Sequence, residues 1–394
     1  MRVLVVTKLF PNALEPAFSP FNRHQFAALG KLCDVEVLGL IPWFPGAGLL
    51  RRFTRSGKIT RVPAFETIDG LPVHHPRVAY LPRIGHALSG PLYAASLLPQ
   101  ALRNRSRFDV VLGSFAYPDG FAAVVIGRFM DLPTVLKVHG TDINVLAKMT
   151  SVRRNLRWAL SHAEAVVATS IPLAEAAVAA GAPADRTSVV MNGIDTTAFR
   201  PRDRDECRRT LAREDDRKWI LYVGNLKRPK GILDLIEAFA ILSRSRRDTR
   251  LVVVGDGEHE QACRALVRSH NLEVDFIGAC PHEQIPLWMG ACDVLALPSW
   301  AEGTPNVVME AIASDRRVVA TRVGGIPAIV ASDLAGELVA PRDPPALAAA
   351  LARALDEPYV AGRVLSCATF RGWDDSAAEL HAVLARVVRD RGRA

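Results

Sequence analysis

Short apolar runs recur along the whole chain, separated by longer stretches of mixed polarity. In the first half they are Val3–Val6, Val35–Leu40, Val110–Leu112, Thr134–Val138 and Ala165–Ala168. In the second half they are Trp219–Val223, Arg250–Val254, Val274–Ile277, Val294–Leu297, Arg317–Thr321 and Glu337–Val339. Runs this short, apolar at consecutive and not alternate positions, predict strands buried on both faces. The intervening stretches are long enough for crossover helices, so the pattern predicts an α/β chain with doubly wound parallel sheets. Ligands of such sheets bind beyond the strand C-termini. The rhythm breaks near Phe199-Arg-Pro-Arg-Asp-Arg-Asp-Glu206. That places a first Rossmann-like domain at 1–200 and a second at 201–368. In the remaining 369–394, Ala377–Val388 reads as a helix returning toward the first domain. Two such domains facing across a cleft are the expected architecture.

Length agrees, since 394 residues suit two domains better than one. No apolar run approaches the ~20 residues of a membrane span. The opening Met1-Arg-Val-Leu-Val-Val-Thr7 reads as a first strand and not as a signal peptide. Six scattered cysteines (33, 207, 263, 280, 292, 367) show no Cys-x-x-Cys and no metal-ligand spacing, which suits a reducing, cytoplasmic compartment. Charge alters the picture more. Residues 37–108 hold ten Arg and Lys (Arg51, Arg52, Arg55, Lys58, Arg61, Arg77, Arg83, Arg103, Arg105, Arg107) against Glu66 and Asp69, which is the whole formal excess of +8. Trp43, Phe44, Phe53 and the apolar run Leu88–Leu102 are interleaved with them. This stretch suits an anionic membrane leaflet, a lipid-linked phosphate or a nucleic acid. An ordinary solvated face, with Leu88–Leu102 as a core helix, is the other reading.

The chemistry concentrates in Pro298-Ser-Trp-Ala-Glu-Gly-Thr-Pro-Asn-Val-Val-Met-Glu310. A strand precedes this block, and the helix Asn306–Ala313 closes it, with Pro305 in its first turn. The N–H groups of residues 303–307, among them Gly303, Thr304, Pro305 (which lacks one), Asn306 and Val307, would face a phosphate that the helix dipole also favours. Glu302 and Glu310 would flank that phosphate and accept hydrogen bonds from neutral hydroxyls. Phosphate between and hydroxyls at both ends describe a sugar nucleotide; a plain surface turn is the alternative.

Val223-Gly-Asn-Leu-Lys-Arg-Pro-Lys-Gly231 follows a strand and opens the helix Ile232–Leu242. Gly224 permits close backbone approach, and Lys227, Arg228 and Lys230 crowd cations at a helix N-terminus, which is unfavourable without an anion. Val254-Gly-Asp-Gly-Glu258 lacks the third glycine of a dinucleotide fingerprint. Thr321-Arg-Val-Gly-Gly325 reads as a turn or a close approach to a ligand. Lys137-Val-His-Gly-Thr-Asp142 ends a strand of the first domain, where His139 is a functional or a structural histidine. Tyr117-Pro-Asp-Gly120 is placed similarly. No Ser-His-Asp order, His-Glu-x-x-His or Walker loop is present.

The segment Phe276–Val330 resembles the C-terminal domain of glycosyltransferase family 4, retaining enzymes of the GT-B fold. The resemblance rests on Phe276-Ile-Gly278, Ile285-Pro286, Asp293-Val294, the thirteen-residue block, Val318-Val-Ala-Thr321 and Gly324-Gly-Ile-Pro327. Weaker similarity runs through Leu9-Phe-Pro-Asn12, Val138–Asp142, Asn192-Gly-Ile-Asp195 and Gly224–Gly231. The branch most resembled builds bacterial exopolysaccharides and teichuronic-type polymers. The resemblance implies that Glu302 binds the donor-sugar hydroxyls and Glu310 the ribose, and that Lys230 neutralises the leaving diphosphate. Gly224, Asn225 and Gly278 would line the donor site, and His139 would touch donor or acceptor near the anomeric carbon. Ser19, Tyr117 and Asp142 would serve the acceptor. A protein cation in place of a metal, and no cofactor beyond the nucleotide-sugar co-substrate, are implied as well. The chain departs from the family pattern at four places. Asn225 stands at the usual second diphosphate cation, for which Lys227 or Arg228 could substitute. Ser19 stands where glycine is common, Ala328 where Glu follows Gly-Gly-x-Pro, and Ser314-Asp-Arg-Arg317 in place of a Gly-x-Pro turn.

The expectation is therefore a retaining, metal-independent hexosyltransferase, cytoplasmic or peripheral on the inner membrane face. It would move sugar from a UDP- or GDP-sugar to a hydroxyl of a lipid-linked or polysaccharide acceptor. A phosphorylase of the same fold would need a pyridoxal-phosphate lysine site, which is not evident. The competing class is a non-catalytic protein binding a sugar nucleotide or nucleic acid.

Overall fold

The computed structural model of the chain describes residues 1–16, 18–47, 55–81, 86–103, 106–368 and 370–392, without the side chains of residues 55 and 56. Arg51, Arg52, Phe53, Arg83 and Arg105 of the basic stretch lie outside the described residues. The chain divides into two compact units, one formed by Met1–Gly193 with Trp373–Ala394, the other by Ile194–Gly372.

The first unit holds ten strands: β1 (Arg2–Thr7), β2 (Asp34–Gly39), β3 (Ile41–Trp43), β4 (Phe65–Ile68), β5 (Leu71–His74), β6 (Arg77–Ala79), β7 (Val110–Ser114), β8 (Thr134–Val138), β9 (Ala165–Ala168) and β10 (Thr187–Val189). Eight form one sheet in the order β10-β9-β8-β7-β1-β2-β5-β4, and β3 and β6 pair separately. Every pairing in the large sheet is parallel except β4 with β5. Strands β7, β8 and β9 are buried at every position, which is why their sequences do not alternate. Each fully buried Val or Leu among them contributes about 1.5–3 kcal/mol.

The second unit holds β11 (Lys218–Val223), β12 (Thr249–Val254), β13 (Val274–Gly278), β14 (Val294–Leu297), β15 (Arg317–Thr321) and β16 (Gly336–Val339). Their order, β13-β12-β11-β14-β15-β16, is all parallel and follows the 3-2-1-4-5-6 arrangement of mononucleotide-binding sheets. Strands β8, β9, β14 and β15 match the apolar runs residue for residue. The elements β3 to β6 and β10 have no counterpart in those runs.

Leu88–Leu102 lies within the helix His86–Arg103, which buries Tyr93, Ala94, Leu97 and Ala101 and is a core helix. The terminal helix Trp373–Arg391 packs within the first unit. Ala377, Leu380, Leu384 and Val387 form one stripe against the cluster containing Val3, Val5, Phe26 and Leu29. Ser376 ties it further, donating to Met191 O at 2.6 Å and accepting from Gln25 Nε2 at 2.8 Å.

The turn from the helix Asn306–Ala313 into β15 runs through Asp315, fully buried at φ +59. Its carboxylate accepts from Tyr359 Oη (2.7 Å) and from the N–H groups of Gly362 (2.7 Å), Val364 (3.0 Å) and Leu365 (2.9 Å). Replacing Asp315 leaves the N–H groups of Gly362, Val364 and Leu365, that of Val364 buried, without this acceptor, so Asp315→Ala should lower the unfolding free energy by about 3 kcal/mol. Asp315→Gly should destabilise by about 1 kcal/mol less, since glycine relieves the positive φ. Urea titration of the two variants checks both the loss and its order.

Candidate active site

In the second unit the sheet order reverses between β11 and β14, and the loops leaving these strands are pressed together. Gly231 adopts φ +68, and a Cβ there would stand 1.9 Å from Pro298 O. Trp300 N–H donates to Pro229 O at 2.8 Å, fixing the same contact from the other side. The loop after β15 closes the group: Gly324 has φ +54, a Cβ on it would meet Glu302 O at 2.1 Å, and Gly325 N–H donates to Gly303 O at 2.7 Å.

This arrangement brings Lys230 Nζ to 2.6 Å from Glu302 Oε1 across 72 residues of sequence. Ser299 Oγ donates to the same oxygen at 2.6 Å, and Thr321 Oγ1 donates to Ser299 O. Glu302 is nearly covered (8 % of its side chain accessible) while Lys230 keeps 36 %, so the ammonium is the partner a ligand can reach. Gly224 N–H donates to Val254 O at 3.0 Å and Gly255 N–H to Gly278 O at 2.8 Å, which places Gly224 and Gly278 at neighbouring strand ends. Nothing lies within 4 Å of the position a Cβ on Gly278 would take. Asn225 is exposed, and its carbonyl accepts from Tyr222 Oη at 3.0 Å. Thr304 leads to Pro305, which is the N-cap of the helix and not a residue of its first turn, with Asn306 and Val307 following.

On that helix Glu310 is buried, and its Oε1 lies 3.2 Å from His282 Nε2. The ring of His282 packs edge-on against Phe199 at 5.5 Å. Burial works against the imidazolium, but hydrogen bonding and charge from Glu310, with Glu283 and Asp195, outweigh it and hold His282 above its ordinary value. His282 escaped the motif reading because 28 residues separate it from Glu310 and no local spacing links them. Trp300 was also missed as a contact. The Arg228 and Arg342 guanidiniums stand 5.6 and 4.2 Å from its ring centre, and its Nε1 donates to Asp234 at 2.6 Å. Among the described residues no three His, Cys, Asp or Glu side chains gather as a metal would need.

In the first unit the order reverses between β1 and β7. His139 follows β8, its Nε2 2.8 Å from Ser114 Oγ and its ring 5.1 Å from Phe21. Burial, helped by the Lys137 charge, holds its imidazole well below the ordinary value, so the ring is neutral. Ser19 caps the helix Pro20–Leu29 at φ +53 and is 8 % exposed. Asp142 and Tyr117, expected at the acceptor, turn their polar atoms inward. Asp142 is fully buried and accepts from the N–H groups of Ala116 (2.8 Å), His139 (3.1 Å) and Gly140 (2.8 Å), joining the loops after β7 and β8. Burial raises its carboxyl above the ordinary range while those N–H groups pull it down. Tyr117 is 1 % exposed, and its hydroxyl lies 2.7 Å from His86 O and 2.7 Å from Ala87 O. Asp119, also fully buried, is pushed up to about 6 by burial, with Lys8 opposing.

Two parallel sheets in one chain, each with polar side chains gathered where the strand order reverses, define the architecture of the GT-B glycosyltransferases. Comparison with known proteins narrows the class. A family model described as Glycosyltransferase Family 4 matches residues 19–198, and one described as Glycosyl transferases group 1 matches 203–364. TuaC of Bacillus subtilis, named for teichuronic acid biosynthesis, is 30% identical over 362 residues, covering 90% of this chain and 89% of its own. The alpha-D-kanosaminyltransferase of Streptomyces kanamyceticus is 30% identical over 294 residues, covering 69% of this chain and 76% of its own. The crystal structure of Anabaena HepE with UDP and glucose superposes with a TM-score of 0.74 at 20% identity, covering 98% and 99% of the two chains. This chain belongs to glycosyltransferase family 4 and is a glycosyltransferase acting on a nucleotide-sugar donor.

Lys137 is fully buried on β8, with its ammonium bonded to Gln25 Oε1, and burial lowers it to about 7. A lysine lowered in the folded state binds fewer protons there than in the unfolded chain between pH 7 and its usual 10.5. Stability attributable to Lys137 therefore rises across that window and is lowest at or below pH 7. The melting temperature of wild type relative to Lys137→Met should rise by several degrees between pH 7 and pH 9.5, as read by calorimetry on both proteins.

Proposed function

We propose that the loops around Lys230 and Glu302 are the donor site of a retaining hexosyltransferase, with Lys230 meeting the leaving diphosphate. The observation that carries this reading is the 2.6 Å Lys230–Glu302 pair at the β11/β14 reversal. It puts a cation able to meet a diphosphate in direct contact with a carboxylate able to accept from hydroxyls. Glu302 takes the donor-sugar hydroxyls, Glu310 the ribose hydroxyls, and the N-terminus of Asn306–Ala313 the diphosphate. Gly224, Gly278 and Gly303 leave room for the nucleotide. In the reaction the bond from the anomeric carbon to the diphosphate oxygen breaks, and a bond to the acceptor oxygen forms on the same face. The acceptor's proton passes to the departing diphosphate, so no side-chain nucleophile is needed. Catalysis is then positioning and stabilisation of the leaving charge by protein cations. His139, neutral, keeps the contact near the reacting carbon that its motif implies. A UDP-sugar is the first donor to test, given the UDP bound by the Anabaena relative, with a GDP-sugar second. The acceptor is a hydroxyl of a lipid-linked or polysaccharide glycan, in keeping with the teichuronic acid relative.

A thermal-shift series with UDP-, GDP-, ADP- and dTDP-sugars tests the site. One nucleotide family should raise the melting temperature of wild type by several degrees. Glu310→Ala should reduce that shift to near zero, and Lys230→Ala should lower kcat by at least about a hundredfold. A shift of wild-type size in Glu310→Ala would remove the ribose contact from this reading.

The basic stretch supports peripheral association with an anionic leaflet on the inner membrane face. Trp43, Leu88 and Leu102 of that stretch are 41, 53 and 52 % exposed, and no described helix is long and apolar enough to cross a membrane. Acidic vesicles should retain the protein several-fold more than neutral ones. Arg51/Arg52/Arg55→Glu should abolish the difference in co-sedimentation.

A further inference from the structure

A second cavity, of about 320 Å³, opens in the first unit at the C-terminal ends of β1 and β2. Phe10, Leu40 and Ile41 give it apolar walls, and Lys8, Tyr80 and Tyr93 line it with donors. Among the described residues none of these three donors has a hydrogen-bonding partner. The Lys8 ammonium has no carboxylate within 4 Å among the described residues and rests over the Phe115 ring at 4.5 Å. The hydroxyls of Tyr80 and Tyr93 have no hydrogen-bond partner among the described residues, although Tyr93 is only 2 % exposed. The Tyr93 residue is buried but borders the cavity, so its hydroxyl is a donor that a ligand in the cavity can use. The remaining charges nearby are already spoken for. His75, on the cavity wall, has Nδ1 2.8 Å from Gly39 O and Nε2 2.5 Å from Glu66 Oε1, so both ring nitrogens are engaged. Asp119 lies behind Lys8, its Oδ2 accepting the Lys8 N–H at 2.6 Å and its Oδ1 buried without a partner. This carboxylate anchors the Lys8 backbone without occupying its ammonium. Glu15 also borders the cavity and has an interaction of its own.

We infer that this cavity binds an acidic sugar of the acceptor, with Lys8, Tyr80 and Tyr93 holding its anionic group and the apolar wall its ring face. The inference rests on the transferase reading above and deepens it: the acceptor is a sugar bearing a carboxylate or a phosphate, not a neutral one. The volume lies at the small end of ligand pockets, about 300 Å³, and suits one such residue. A cation and two neutral hydroxyl donors around one anion form charge-assisted hydrogen bonds that a neutral sugar cannot match.

The test uses the full chain with its donor site saturated by UDP and three probes: glucuronic acid, glucose 6-phosphate and glucose. Dissociation constants come from saturation-transfer NMR. Wild type should bind one acidic probe at least tenfold tighter than glucose, and which one distinguishes carboxylate from phosphate. Lys8→Gln should erase the preference. Tyr93→Phe should weaken the acidic probe by about three- to tenfold with its melting temperature unchanged. Equal or absent binding of all probes by wild type, or a preference that survives Lys8→Gln, overturns the inference. Failure of the donor reading would show separately, as the absence of any nucleotide-induced thermal shift.

Discussion

The second unit depends on two places where one loop's carbonyl occupies the space of another residue's side chain. At Gly231 and Gly324 a Cβ would overlap Pro298 O and Glu302 O, so the loops after β11, β14 and β15 can close only on glycine. Closure is what makes the Lys230–Glu302 pair, since neither side chain is near the other in sequence. An ion pair with one partner a third exposed is worth little to stability. Its value is positional. Glu302 already receives Lys230 and Ser299 on one oxygen, so two donors fix its orientation. The ammonium, less covered than its partner, can turn to a diphosphate carrying more charge than one carboxylate.

The first unit solves a different problem. Asp119, Lys137 and Asp142 are fully buried, where each charge is unfavourable, and the neutral His139, between Lys137 and Asp142 in the chain, is only partly exposed. Asp142 is offset by four backbone N–H groups, from Ala116, His139, Gly140 and Ile143, in the loops that follow the strand ends. Lys137 has a single neutral partner in Gln25, itself bonded to Ser376 of the terminal helix. The polar core of this unit therefore links the strand bearing His139 to the last helix of the chain. Burial, helped by the Lys137 charge, also keeps His139 uncharged.

Much of this was legible in the sequence because parallel strands buried on both faces leave contiguous apolar runs. Thr134–Val138 and Val294–Leu297 needed no other signal. The segments that escaped lie at sheet edges or outside the main sheet. Phe65–Ile68 and Leu71–His74 pair antiparallel, carry Glu66, Pro72 and His74, and bury only alternate residues or none, so no apolar run marks them. Glu302, Lys230 and Glu310 stand in motifs whose local turns announce themselves. His282 and Lys8 do not, because their meaning comes from partners brought near by the sheet: Glu310 for one, Asp119 and two tyrosines for the other. Tyr117 and Asp142 were legible as motif residues, but their inward orientation was not.

The departures from the family pattern are instructive for the same reason. Ser19 and Asp315 stand where glycine is usual, yet both keep the left-handed backbone that glycine would supply, at φ +53 and +59. Such residues cost about 1–3 kcal/mol each unless their surroundings hold them. Asp315 is held by four hydrogen bonds from residues 359–365, none of which glycine could accept, so the substitution trades backbone ease for a buried anchor. Ser19 is held by the helix it begins, its carbonyl accepting from Asn22 and Arg23 while Asn22 reaches Leu9 O and Ser114. In both cases a residue other than glycine holds a left-handed turn because its surroundings supply the donors or acceptors that fix it.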